Sequence, residues 1–332
     1  MKYFFTKYKF FLSGAALILT AASCTSTLSD EPATDARAIS FTPAAETRAA
    51  VEKDFPNGSS FSVWGWYVTD DQITNNVFDG ETVTKSGEAW TYTGGTQYWI
   101  SGMTYNFYGV YPVYPQKSSD NGTTATVDNT GKITVMNFDC SATGKEAVDL
   151  MTATHTRTYD GTNANAVNMP FQHELAKVKF QTKTQGSKVT ITSFKINGVS
   201  YKGDFSHQLP SENAQWTKKQ STVAGDGIFS TNKTIENTTD ERITDLLGDL
   251  LILPQQLETG KQQLAISYRY DNETTDRTKN VDLRIENGTT GWTAGQSYAY
   301  TLDLRTASLT LTVTIQDWTT QDADVDWKPS KP

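Results

Sequence analysis

The stretch Ser308-Leu309-Thr310-Leu311-Thr312-Val313-Thr314-Ile315 alternates hydroxyl and aliphatic side chains without interruption. Side chains of a β-strand point alternately to opposite faces, so this stretch predicts a strand with one polar and one apolar face. The apolar face carries Leu309, Leu311, Val313 and Ile315.

Similar runs extend through the rest of the chain. Residues 61–68 and 105–112 mix large apolar residues with small ones, and Ile39-Ser40-Phe41 starts an alternating run that Pro43 stops. Further alternating or continuously apolar runs cover residues 132–138, 167–180, 188–196, 250–253, 263–270, 280–285, 297–304 and 308–315. Clusters of Gly, Asn, Asp, Ser and Thr separate these runs, as turns do. Strands at this spacing predict an all-β protein built of β-sandwiches.

One short segment departs from this pattern. Residues 240–247 predict a helical turn, because Ile243, Leu246 and Leu247 form one stripe and Gly248 follows as a stop.

The composition agrees with a strand-rich globular chain and argues against several function classes. Among 332 residues there are 51 Thr and only 19 Leu, which favours strands. A net charge of −8 argues against nucleic acid as a partner, since phosphate binding needs clustered Lys and Arg. Three His and two Cys make a dedicated zinc site improbable.

The N-terminus has the pattern of an export signal. Residues 1–23 begin with a basic region and continue into an apolar run too short to span a bilayer. Ala21-Ala22-Ser23-Cys24 is similar to a bacterial lipobox, in which the Cys is acylated, although Ala21 replaces the usual Leu. An ordinary signal peptidase site is the alternative. If Cys24 carries lipid, Cys140 is the one remaining thiol, and no intrachain disulfide can form.

The mature chain divides into a tether and two strand-rich halves. Residues 25–38 are small, polar and acidic, which suits a flexible tether. Two stacked sandwiches of similar size follow, and we place their division near residues 185–187.

Residues with catalytic or binding chemistry are few. His173 lies in a strand-like run without a nucleophile motif, and we interpret it as structural. Residues 322–326 alternate Asp with apolar residues but lack the Gly and distal Glu of a calcium loop. Trp64 and Trp66 share one face of a strand and serve either core packing or sugar stacking, of which packing is favoured. The sequence therefore predicts no catalytic residue, no metal and no cofactor.

A series of strand and turn motifs runs in order along the chain. The motifs are Ile39-Ser40-Phe41, Thr47-Arg48-Ala49, and the runs at 61–67, 105–112, 149–153, 171–178, 251–255, 291–302 and 315–318. Each motif is weak alone, but their number, order and spacing behind a lipobox are specific. Taken in order, they resemble the fimbrillins of Bacteroidales-type bacteria, which build fimbriae.

The resemblance implies two tandem transthyretin-like β-sandwich domains behind a lipoprotein signal peptide. The implied layout is a signal peptide at 1–23, a lipidated propeptide with the first strand at 24–48, and domains at 49–185 and 186–332. It also implies export to the outer membrane through lipid on Cys24, and display at the cell surface in a fimbrium.

A maturation step is part of what the resemblance implies. An Arg-specific protease would cut between Arg48 and Ala49 and release the first strand. Arg37 is the alternative, but cutting there leaves Ile39-Ser40-Phe41 attached. A neighbouring subunit would then insert a strand into the open groove, and the polymer would grow head to tail.

The segment that would donate the strand is left open. Leu309, Leu311, Val313 and Ile315 either fill a neighbour's groove or belong to the last core strand of their own domain. Residues 322–327 are a second, shorter and more acidic candidate.

Three functions remain in competition at this point. A structural or tip subunit of adhesive fimbriae is favoured, with other fimbrial subunits, the protease and a surface receptor as partners. A monomeric surface lipoprotein that binds glycan or host ligand is the alternative. A hydrolase on a β-sandwich is the third.

Overall fold

The computed structural model describes residues 37–45, 55–69, 74–210, 213–223, 226–236, 239–285, 289–305 and 309–318. Strands make up nearly all of its regular structure in these ranges, and a 3₁₀ turn lies at Gly144–Glu146. The predicted all-β class is confirmed. Within the described ranges, no helix has both the length and the hydrophobicity needed to cross a membrane.

The strands are numbered in chain order over the described residues. They are β1 Phe41–Ala45, β2 Ser60–Val68, β3 Thr74–Ser86, β4 Ala89–Tyr92, β5 Thr104–Tyr111, β6 Thr124–Val127, β7 Lys132–Asp139, β8 Met151–Thr158, β9 Val167–His173, β10 Ala176–Thr184, β11 Val189–Asn197, β12 Ser200–Gln208, β13 Gln215–Ser221, β14 Ser230–Ile235, β15 Arg242–Asp245, β16 Leu250–Ile252, β17 Gln255–Gln256, β18 Gln263–Tyr270, β19 Arg277–Asp282, β20 Gly291–Trp292, β21 Gln296–Asp303 and β22 Thr310–Asp317.

The N-terminal half is dominated by one seven-stranded sheet. Its strand order is β1-β9-β8-β5-β2-β3-β4, and its two edge strands, β1 and β4, contact each other. The sheet therefore curves around an aromatic core. Two glycines make room for that core, because a Cβ on Gly65 would lie 2.9 Å from the ring of Phe107, and one on Gly109 would lie 2.8 Å from the ring of Phe171.

The C-terminal half is built on two packed sheets. One has the order β15-β10-β21-β22, with β16 also paired to β10, and the other has the order β14-β11-β18-β19. Aromatic rings from both sheets meet in the core: Phe180 of β10 packs 5.6 Å from Phe194 of β11 and 5.1 Å from Tyr300 of β21, measured between ring centroids. A short pair, β17 and β20, accompanies them.

A fourth sheet joins the two halves of the chain. Its order is β13-β12-β7-β6, so the early hairpin β6–β7 pairs with strands that follow β11. Strand β10, which ends just before the predicted division at residue 185, pairs only with the later strands β15, β16 and β21. The domain boundaries stay a prediction, and sheet membership groups β10 with the second half.

The helical turn predicted at residues 240–247 is wrong. Arg242–Asp245 forms strand β15, which pairs antiparallel with the end of β10. Ile243 is 55% exposed, whereas Leu246 is buried and donates its backbone N–H to the carbonyl of Phe180. Pairing with a free sheet edge satisfies the backbone of this segment, and the apparent helical stripe is coincidental.

Candidate functional site

The segment from Arg37 to Ala45 fills the gap between the two edges of the N-terminal sheet. On one side, β1 pairs in parallel with β9, from Phe41 opposite Val167 to Ala45 opposite Phe171. On the other side, the segment bonds to the loop that follows β4.

The backbone hydrogen bonds of this segment reach both neighbours. The N–H of Ile39 donates to the carbonyl of Gln97 at 2.8 Å, and the N–H of Trp99 donates to the carbonyl of Arg37 at 2.9 Å. The hydroxyl of Tyr92 donates to the carbonyl of Ile39 at 2.9 Å. The segment is thus held by main-chain bonds on both of its edges.

Alternation explains why this segment forms a strand. Ile39, Phe41 and Pro43 are buried, whereas Thr42 between the last two is exposed. The expectation that Pro43 stops the run is wrong, since β1 continues to Ala45. Proline is tolerated in an edge strand, where a missing N–H need not break a ladder.

Phe41 is the centre of the site. Its side chain is 3% exposed and lies within an aromatic cage formed by the rings of Phe61, Phe78, Tyr92 and Phe107. The ring centroids are 5.3–6.3 Å from that of Phe41, and all four contacts are edge-to-face. Burial of Ile39 and Phe41 together contributes about 3–6 kcal/mol.

The chain returns to the core at Phe55. The Phe55 ring packs against Trp90, Tyr111 and Phe171, with centroids 5.3–5.8 Å apart. The buried amine of Lys85 donates to the carbonyl of Phe55 at 2.8 Å. Phe55 is therefore anchored by contacts that do not involve β1.

The predicted processing residues fall between these two anchored points. Arg48 and Ala49 lie in the interval 46–54, outside the described residues. The lipidation candidate Cys24 also lies outside the described residues. Arg37 is described, and its carbonyl is bonded to Trp99 while the next residue, Ala38, forms a β-bridge with Tyr98.

Three of the candidate donor residues, Leu311, Val313 and Ile315, lie on β22 at the edge of the β15-β10-β21-β22 sheet, and Leu309 directly precedes that strand. Leu309, Leu311 and Val313 pack half-buried against the core, and Ile315 is 42% exposed. Strand β22 pairs antiparallel with β21 of the same chain. The structure thus shows three of these residues within their own sheet and Leu309 packed against the core beside it, and the transfer of all four to a neighbour stays a prediction. The second candidate, 322–327, lies outside the described residues.

Trp64 and Trp66 belong to the core. Both are buried, and the ring of Trp66 packs 6.1 Å from that of Tyr108. The packing interpretation of these residues is confirmed. Because both rings are buried, they do not form an open surface on which a sugar could stack.

A buried polar cluster that the sequence did not reveal lies where the two halves meet. Nδ1 of His173 lies 2.6 Å from Oδ2 of Asp149, and the imidazole stacks on Trp318 with ring centroids 3.9 Å apart. The neighbouring Glu174 accepts a hydrogen bond from the Thr152 hydroxyl. His173 thus packs against the residue that follows β22, in keeping with a structural role. Asp149, His173 and Trp318 each lie in one of the motifs noted in the sequence, but nothing in those motifs indicated that the three side chains meet.

The thiol of the described part of the chain is also internal. The thiol of Cys140 is buried and donates to the carbonyl of Tyr201 at 3.0 Å, and burial raises the pKa of this thiol to about 12. Over the described ranges, no group of three or more His, Cys, Asp or Glu side chains is arranged to hold a metal ion.

Fold and site together define a class of all-β protein. In this class a short early strand, here β1, completes the core of the N-terminal sheet. The chain belongs to the fimbrillin-like family, whose model matches residues 47–318.

Solved structures share this fold. A fimbrial protein from Bacteroides vulgatus ATCC 8482 superposes with a TM-score of 0.59 at 15% identity, covering 85% of this chain and 100% of that one. A candidate cell adhesion protein from Bacteroides uniformis ATCC 8492 has a TM-score of 0.53 at 17% identity, covering 85% and 99%. Another from Bacteroides ovatus ATCC 8483 has a TM-score of 0.53 at 13% identity, covering 87% and 99%. A search of curated proteins found no match.

Proposed function

We propose that the chain is a structural or tip subunit of cell-surface fimbriae, exported as a lipoprotein and assembled by protease-triggered strand exchange, in support of adhesion. Membership in the fimbrillin-like family and the fimbrial and cell adhesion neighbours support the fimbrial or adhesive role and assembly with other fimbrial subunits. The observation that carries the exchange step is the burial of Ile39 and Phe41 in a gap bounded by two sheet edges.

Loss of β1 would leave a groove that favours another strand. The cage around Phe41 would be exposed to water, and the edge of β9 would present unpaired backbone groups. A strand from a neighbour restores both the burial and the hydrogen bonds. Because donor and acceptor surfaces differ, the contact propagates as an open filament.

The anchors on either side of the interval 46–54 support cleavage after Arg48 over cleavage after Arg37. Arg37 lies in a bonded, bridged backbone, which a protease would have to open before cutting. A cut after Arg48 separates β1 from Phe55 without breaking the contacts of either.

Export and anchoring rest on Cys24. Acylation of this residue would hold the precursor at the outer membrane until the protease cuts the chain downstream. Radiolabelled fatty acid should enter the precursor, and neither Cys24→Ser nor the form beginning at Ala49 should carry label. Label retained in Cys24→Ser would contradict the lipoprotein assignment.

A reversible lock on β1 tests the exchange step directly. Thr42 and Asn168 are partners in the β1–β9 register, and both side chains are exposed. Adjacent strands lie about 4.8 Å apart, within the range of a disulfide, so Thr42→Cys with Asn168→Cys should tie β1 to β9.

The locked chain is treated with an Arg-specific protease before and after reduction. We expect a new N-terminus at Ala49 in both cases, but uptake of an added fluorescent peptide with the sequence of residues 37–45 only after reduction. The single variant Thr42→Cys serves as the control and should take up the peptide in both conditions. Uptake by the oxidised double variant, or none by the control, would contradict the proposed function.

A further inference from the structure

The groove that β1 occupies has side-chain pockets of unequal character. Position 39 holds an aliphatic side chain and position 43 a proline, whereas position 41 holds a phenyl ring. The central pocket is the aromatic cage, with four rings that meet Phe41 edge-to-face at interplanar angles of 65–89°. Such geometry is favoured between aromatic rings and adds to simple burial.

The walls of the cage are held by close packing of the strands behind it. At Gly65 the missing side chain lets the Phe107 ring lie over the backbone of β2, and a Cβ there would also lie 3.2 Å from the ring of Phe78. Closely packed walls relax only partly when a guest is too small. An aliphatic side chain at the position of Phe41 would leave a void and lose the edge-to-face contacts.

The chain's own alternating strand does not match this pocket. The inward positions of the 309–315 segment are Leu309, Leu311, Val313 and Ile315, with no aromatic residue among them. In the structure this segment is already paired with β21, and three of its four aliphatic side chains pack against the core.

We propose that the groove, once β1 has left, selects an incoming strand from a different subunit that carries a phenylalanine-sized aromatic side chain at the position of Phe41, with smaller apolar side chains two residues to either side. It discriminates against the 309–315 strand of a second copy of this chain. This inference rests on the proposed strand exchange and names the partner that the groove accepts.

Peptide exchange into the cleaved full chain tests the selection. The protein is cut with an Arg-specific protease and mixed with excess fluorescent peptides, and binding is followed by anisotropy. The parent peptide has the sequence of residues 37–45, its variants carry Phe41→Leu or Thr42→Val, and two further peptides have the sequences of residues 308–316 and 322–330. Thr42→Val is the matched control because Thr42 is exposed.

We expect the parent and Thr42→Val peptides to bind within about threefold of each other. Phe41→Leu should bind at least about tenfold more weakly, which corresponds to about 1.4 kcal/mol. The peptides 308–316 and 322–330 should compete poorly, the second because an indole is larger than the ring that the cage encloses.

Equal binding of the Phe41→Leu peptide would overturn the aromatic selection. Parent-like binding of 308–316 or 322–330 would overturn the choice of a different subunit and identify a second copy as the donor. If cleavage occurs and even the parent peptide fails to enter, strand exchange itself is wrong, and this inference falls with it.

Discussion

The ring of Phe55 packs edge-to-face against the ring of Phe171, with centroids 5.8 Å apart. Phe171 is also the residue that Ala45 faces in the β1–β9 ladder. The chain therefore leaves the core and returns to it beside a single residue, and the interval 46–54 connects two separately anchored points. A cut within this interval need not release β1, and the proposed exchange requires this of a subunit that stays folded until another strand displaces β1.

The position of cleavage can be tested with two matched Arg variants. Arg48→Gln should abolish the N-terminus at Ala49 after treatment with an Arg-specific protease, whereas Arg37→Gln should leave it unchanged. The reason is the bonded backbone at Arg37, whose carbonyl accepts from Trp99. N-terminal sequencing measures the outcome. A wild-type terminus at Ala38 would show that Arg37 is the processed residue.

Removing the ring of Phe41 should destabilise the uncut chain. Phe41→Ala loses a buried ring with four aromatic neighbours, and we expect a fall of about 3–5 kcal/mol in the free energy of unfolding. Thr42→Ala is the control and should change this free energy by less than about 0.5 kcal/mol. Urea unfolding followed by Trp fluorescence gives both values. Similar stabilities for the two variants would mean that β1 contributes little to the core.

Lys85 should help to keep Phe55 in the core after the chain is cut. In Lys85→Met the carbonyl of Phe55 loses its donor, which should cost about 1–3 kcal/mol. Amide exchange around residues 57–59 should accelerate in the cleaved chain. The exposed residue Lys117, changed to Met, is the matched control. Unchanged exchange in Lys85→Met would show that the aromatic contacts of Phe55 suffice alone.

The stack between Trp318 and His173 should hold the end of β22. Trp318→Ala removes a buried indole, and we expect a loss of about 3–5 kcal/mol in stability with faster amide exchange in β22. Thr314→Ala, at an exposed position of the same strand, should have little effect on either quantity. If β22 exchanges equally slowly in both variants, its pairing with β21 alone fixes it.

Cys140 should be unreactive in the folded protein. With its pKa raised to about 12 by burial, only about one thiol in ten thousand is ionised at pH 8, and alkylation requires the thiolate. In a Cys24→Ser chain, an aromatic disulfide reagent should therefore label Cys140 within minutes in urea and only over many hours in native buffer. Fast labelling of the native chain would contradict the burial of this thiol.

Local alternation accounts for the part of the fold that could be predicted. Runs at 132–138 and 263–270 correspond to β7 and β18, because inward and outward side chains follow the pleat of each strand. The runs at 61–68 and 105–112 correspond to β2 and β5, which are buried on both faces over most of their length. The error at 240–247 has the opposite cause. A short apolar stripe cannot distinguish a helical turn from an edge strand, and the free edge of β10 decided between them.

The candidate site, too, was predictable only in its local features. The sequence placed Ile39 and Phe41 on one face of a first strand and an Arg between that strand and the next. It could not indicate that β1 lies beside β9, because the parallel ladder joins residues far apart in the chain. The cage around Phe41 likewise takes its rings from β2, β3, β4 and β5.

By itself, the sequence determined the all-β class and the position of most main strands along the chain, since these depend only on neighbours in the sequence. The tertiary structure alone decided which edges meet, why β1 closes the first sheet, and where Trp318 is held. The physical reason is that a period of two is satisfied by many pairings. Only the burial of particular surfaces, such as Phe41 among four rings and His173 against Trp318, selects one of them.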